Sequence, residues 1–203
     1  DYEEQYVLIG GAACDILFES NEVNFRATRD LDMVLIVEAL TPEFGEKFWK
    51  FIVDGKYRNK ATNGSNPQFY RFDKPEDDNF PKMIELFCRS DFKLKDAKGI
   101  TPIHIDDEVS SLSAILLNDD YYKALLNGKE VRNGLSVLRP EYIILFKAKA
   151  YLDLKKQKDL GKKVDSSDIK KHKKDVLRIA SELMLEKVEE LPIAVDADIH
   201  SFI

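Results

Sequence analysis

The sequence predicts an α+β fold: a mixed sheet flanked by helices, followed by a C-terminal helical subdomain. Three observations predict it. An apolar strand over residues 6–9 runs into Gly10 and Gly11, helical spacing follows from Ala12, and a second strand covers residues 31–37. Short apolar segments separated by turn residues fill the middle of the chain. From Pro140 onward the strand pattern stops and helical spacing takes over. The expected division is a sheet-containing domain over residues 1–138 and a helical subdomain over residues 139–203.

Each element has a local reason. Residues 12–18 place small and apolar side chains at helical spacing, so this helix packs on the strand before it. Residues 21–24 read as a turn. Pro42 opens a helix through Ile52 with Phe44, Phe48, Trp49 and Ile52 on its apolar stripe, and Gly55 ends it. Residues 57–61, 68–72 and 82–88 read as strands, joined by loops at 63–67 and 75–79. Residues 103–105 and 112–117 extend the β-rich part, and residues 129–132 and 135–138 form a hairpin around Asn133 and Gly134. Beyond Pro140, residues 141–156 read as a long helix, 161–167 as a polar loop and 168–190 as one or two further helices.

Composition narrows the function classes. At 203 residues, 44% hydrophobic and 33% charged, the chain suits one domain with a sizeable core and a small helical appendage. No apolar run approaches the ~20 residues needed to cross a bilayer, so a cytoplasmic protein with no membrane partner is expected. The chain begins at Asp1, so its start is expected to be trimmed. Cys14 and Cys88 sit in apolar runs without metal-ligand spacing and read as buried thiols. His104, His172 and His200 are too scattered for a metal site and read as surface or partly buried side chains. Ser110, Ser111 and Ser113 lack a paired histidine, which excludes serine hydrolase chemistry. The net charge of −6 argues against coating nucleic acid by bulk electrostatics. Basic residues nevertheless concentrate between Lys147 and Lys174, a stretch with no arginine and four aspartates. That stretch reads either as a solvated helix face or as a surface for phosphates or an RNA acceptor.

The chemistry-bearing residues cluster around the second strand. Residues two apart on a strand share a face, so Asp30 and Asp32 present paired carboxylates opposite Leu31, Met33 and Leu35. Hard oxygen ligands suit Mg²⁺, which takes one or two carboxylates and completes its shell with water and phosphates. Arg26 and Thr28 share the same parity, so an extended chain starting there adds a cation and a hydroxyl to that face. Gly10 and Gly11 let a backbone approach a triphosphate closely, and a helix starting at Ala12 aims its free amides at the same place. A third carboxylate is needed if two metals or a general base take part in the transfer. Glu85 is the candidate, a lone acid in the apolar run 83–87 that is costly to bury without a partner. The alternative is an edge-strand glutamate facing water. Asp73, Asp77 and Asp78 are weaker rivals in a loop.

The Gly-Gly-x-Ala form at Gly10, Gly11 and Ala13 and the Arg-x-Thr-x-Asp-x-Asp row of Arg26, Thr28, Asp30 and Asp32 carry a family resemblance. With Glu85 on a later strand, the chain resembles the DNA polymerase beta-like nucleotidyltransferase superfamily, and within it the AbiEii/AbiGii type toxin nucleotidyltransferases. The resemblance implies a nucleotidyltransferase-like sheet in which Asp30 and Asp32 bind Mg²⁺ and the glycine motif holds the NTP phosphates. It also implies a lysine and a later aspartate from the helical C-terminal part, which Lys147 and Asp175 fit. The implied reaction moves an NMP from an NTP to a hydroxyl of an RNA or tRNA end or of a protein, in a toxin paired with an antitoxin. Where the family often places an arginine after the lysine helix, this chain has Lys155, Lys156 and Lys158, and a lysine cannot copy the guanidinium fork. On the plainer reading Lys147 keeps its head in solvent, and Asp175 pairs with Lys171 or Lys174. Lys149 is the solvent residue if Lys147 turns inward. The expectation is an Mg²⁺-dependent nucleotidyltransferase; the alternative is an inactive nucleotide-binding or partner-binding module of the same fold.

Overall fold

The computed structural model describes residues 2–19, 29–36, 38–59, 71–87, 115, 118–188 and 190–203. In chain order the elements are β1 (Tyr6–Ile9), α1 (Gly10–Glu19), β2 (Asp30–Leu35), α2 (Pro42–Asp54), β3 (Arg58–Asn59), β4 (Arg71–Asp73) and β5 (Met83–Phe87). They continue with α3 (Asp119–Gly128), β6 (Lys129–Arg132), β7 (Leu135–Leu138), α4 (Pro140–Asp159), α5 (Ser166–Glu182) and α6 (Ile193–Phe202). The strands form one mixed sheet in the order β3-β4-β5-β2-β1-β7-β6, and with the helices this is the α+β fold the sequence predicts. β2 pairs parallel with β5, and β1 parallel with β7; the other neighbours are antiparallel.

The first strand-to-helix junction positions the site. Val7, Leu8 and Ile9 are buried, and the chain then turns sharply at Gly10, whose φ of +63° lies in the region that favours glycine. Helix α1 therefore starts at Gly10, two residues before the sequence predicts. Ala13, Cys14, Leu17 and Phe18 form its buried stripe, and α1 packs on β1 and β2. Helix α2 opens as expected at Pro42, with the Thr41 hydroxyl accepting from the Phe44 amide at 3.4 Å. Gln5 ties this cap to the start of the sheet, since its Oε1 accepts from the Thr41 amide at 3.0 Å. The stripe of Phe44, Phe48 and Ile52 is buried, and Trp49 meets Phe48 and Phe72 edge-on.

The β6–β7 hairpin turns at Asn133 and Gly134, both with positive φ, as its two-residue turn requires. Two helices were not foreseen. Helix α3 is capped by Asn118, whose Oδ1 accepts from the Asp120 and Tyr121 amides at 2.9 and 3.4 Å. Helix α6 follows Pro192 and packs on α3 and α4. Helix α4 runs to Asp159, and residues 160–165 connect it to α5, which packs along it. Among the described residues no helix is long and apolar enough to cross a membrane. The expected turn at 21–24, the loop at 63–67, the strand at 103–105 and most of 112–117 lie outside the described residues, as do Arg26, Thr28, Cys88, His104, Ser110, Ser111 and Ser113.

Candidate functional site

The central strands bring the predicted acids together. In the parallel β2–β5 pair Asp32 lies opposite Glu85, and Asp30 lies opposite Met83 two residues away on the same face. Glu85 is on an interior strand, between β4 and β2, so it is not the edge-strand glutamate of the alternative reading. Its partner comes from β4. Arg71 is in register with Glu85, and its Nε and Nη2 donate to Glu85 Oε1 at 2.7 and 2.5 Å. Sequence reading did not find Arg71, because cross-strand register over that separation leaves no local pattern.

Gly10 shapes the other side of Asp32. A Cβ at Gly10 would collide with the Asp32 carboxylate, so the missing side chain makes room for that acid at the N-terminus of α1. Burial raises the Asp32 pKa to about 6, reinforced by the Glu85 charge and by a hydrogen bond with Glu85, with Lys147 pulling the other way. Burial and the neighbouring Glu85 charge thus both disfavour the ionised form of Asp32.

The opposite wall comes from the C-terminal helices. Lys147 of α4 turns inward and its Nζ donates to Asp175 Oδ2 of α5 at 2.7 Å, with the two side chains 12% and 14% exposed. This replaces the plainer pairing of Asp175 with Lys171 or Lys174. Lys149, expected in solvent, instead joins Asp153 at 3.1 Å and Asp198 at 3.2 Å and lies over the Tyr121 ring. Lys155, Lys156 and Lys158 are exposed at the far end of α4.

Between the walls lies a cavity of about 260 Å³ lined by Gly10, Gly11, Asp30, Asp32, Glu85 and Lys147. Lys171 and His172 line it too. His172 was set aside on sequence grounds as an ordinary histidine; the legible signal was its spacing of three from Asp175, which puts both on one helix face. Its Nδ1 is buried with no hydrogen-bond partner among the described residues. Burial lowers its pKa to about 4, assisted by the Lys147 charge and opposed by Asp175, so the imidazole is neutral at pH 7.

The cavity is therefore polarised: carboxylates on the sheet wall, lysines and a neutral histidine on the helix wall. That arrangement can hold a cation on one side and an anion on the other. Among the described residues no three His, Cys, Asp or Glu side chains are arranged to hold a metal ion as they stand. No protein-family model matches the chain, and neither does any curated protein.

Proposed function

We propose that the chain is an Mg²⁺-dependent nucleotidyltransferase that transfers the NMP of an NTP to an acceptor hydroxyl. The observation that supports it is one cavity lined by Asp30, Asp32, Glu85, the Gly10–Gly11 helix start and Lys147. The donor set fits the ion. Asp30, Asp32 and Glu85 offer hard carboxylate oxygens, and the ionised form of Asp32, disfavoured first by burial and then by the Glu85 charge, is one that a divalent cation would stabilise. Mg²⁺, when bound, would neutralise phosphate charge as the transfer proceeds.

The chain's own groups do the rest. The first amides of α1 face the phosphates, and Asp175 holds the Lys147 ammonium inward as a countercharge to the triphosphate. Arg71 fixes the orientation of Glu85, the proposed third ligand or the base for the acceptor hydroxyl. Arg26 and Thr28 are proposed to extend the nucleotide face. The acceptor we propose is an RNA or tRNA end or a protein side chain, in a cytoplasmic toxin of the AbiEii/AbiGii type held in check by an antitoxin. One observation favours a second reading, the inactive nucleotide-binding or partner-binding module: Arg71 already occupies Glu85 Oε1. The experiment is incubation with each labelled NTP, Mg²⁺ and total cellular RNA. Label on RNA or protein supports the transferase, binding without transfer supports the module, and neither binding nor transfer sinks both.

A further inference from the structure

We propose that the His172 imidazole donates its N–H to an oxygen of the bound phosphate chain, a contact that deepens the nucleotide reading and rests on it. Three observations converge on this side chain. His172 lines the cavity, facing a wall that carries Asp30, Asp32 and Glu85. Its Nδ1 is buried with no hydrogen-bond partner among the described residues, so that nitrogen has a hydrogen bond left to make. Its neighbours on the helix wall are Lys147 and Lys171, which place the anionic part of a ligand on that side.

The charge pattern chooses between ligand groups. A divalent ion belongs with the carboxylates, and the phosphates it carries then extend toward the lysines. A neutral imidazole has one N–H donor and one acceptor nitrogen, and beside phosphate oxygens only the donor is used. Neutrality also suits the place: a third cation beside Lys147 and Lys171 would repel both, whereas a neutral donor does not. Asp175 and Asp168 are the anionic groups near the ring, and neither of them takes its Nδ1.

The test uses calorimetric titration of the full chain with Mg²⁺ and two probes, inorganic triphosphate and the α,β-methylene NTPs. His172→Ala is expected to weaken both probes by the same factor, about tenfold or more, as for loss of a hydrogen bond to a charged group. His172→Asn or His172→Gln, which keep an N–H, are expected to recover part of that affinity. If His172→Ala does not fold, the ring-nitrogen resonances of the wild-type protein decide: they move when triphosphate is added, or the proposal is overturned. Wild-type binding of both probes with unchanged triphosphate affinity in His172→Ala overturns the His172 contact and leaves the nucleotide site standing. Failure of the wild-type chain to bind either probe overturns the nucleotide site, and the contact with it.

Discussion

Asp32 concentrates the residue-scale physics, because one carboxyl is buried, faces Glu85 and fills the space left by Gly10. Its folded-state pKa of about 6 lies above the usual value of 3.8, so the folded chain binds this proton more tightly than the unfolded chain. Its contribution to stability is present at low pH and is lost as pH rises from 3.8 to about 6. His172 acts in the opposite sense. Its pKa falls from 6.5 to about 4, so its contribution is present above 6.5 and is lost as pH falls through that window. Urea unfolding between pH 4 and 6 is expected to show stability rising more steeply with pH in Asp32→Asn and less steeply in His172→Gln. A parallel pH profile in either variant contradicts the assignment. Gly10→Ala is expected to cost at least about 1–3 kcal/mol, since it adds a clash with Asp32 to a left-handed backbone, and thermal unfolding reads it. Of these residues, Asp30, Asp32 and Glu85 were legible because strand parity and a lone acid in an apolar run are local signals. Arg71 was not, because only sheet register brings it to Glu85.

Among the elements, α4 and α5 are clamped by the Lys147–Asp175 pair. Removing one partner strands a largely buried charge, so Lys147→Ala or Asp175→Ala is expected to lose about 3 kcal/mol in urea unfolding. The double variant Lys147→Met/Asp175→Leu is expected to lose less than either single change, because no charge is left unpaired. Equal or additive losses would show that the pair does not couple. The β6–β7 hairpin was legible from its Asn-Gly turn, and α2 from Pro42, its stripe and Gly55. Helices α3 and α6 were not. The two tyrosines that follow the Asn118 cap favour strands, and α6 mixes Ile and Val with a cap at Pro192 that makes no side-chain hydrogen bond. What decides both is packing: Tyr121 and Leu125 of α3 are buried, and Tyr121 donates to Asp198 of α6 at 3.0 Å.

Across the whole molecule, the sheet order places residues 30, 32 and 85 on adjacent central strands, and the C-terminal helices close over them with residues 147, 171 and 172. No window of the sequence contains both walls, and it is the sheet order and the packing of the C-terminal helices that bring them together. The net charge of −6 likewise conceals a local excess: Lys155, Lys156, Lys158, Lys162 and Lys163 are all exposed around the α4–α5 connection. If RNA is the acceptor, reversing three of these charges is expected to raise the KM for RNA at low salt with little change in affinity for the NTP. An unchanged KM removes that surface from the account. The central claim is that the carboxylate wall is an Mg²⁺ and NTP site that turns over, and transfer of α-labelled NTP by the wild-type chain and by Asp32→Ala, with and without EDTA, tests it most directly. The account predicts label on an acceptor for the wild-type chain alone, abolished by EDTA. Label that persists with Asp32→Ala or with EDTA, or no label from any NTP, contradicts it.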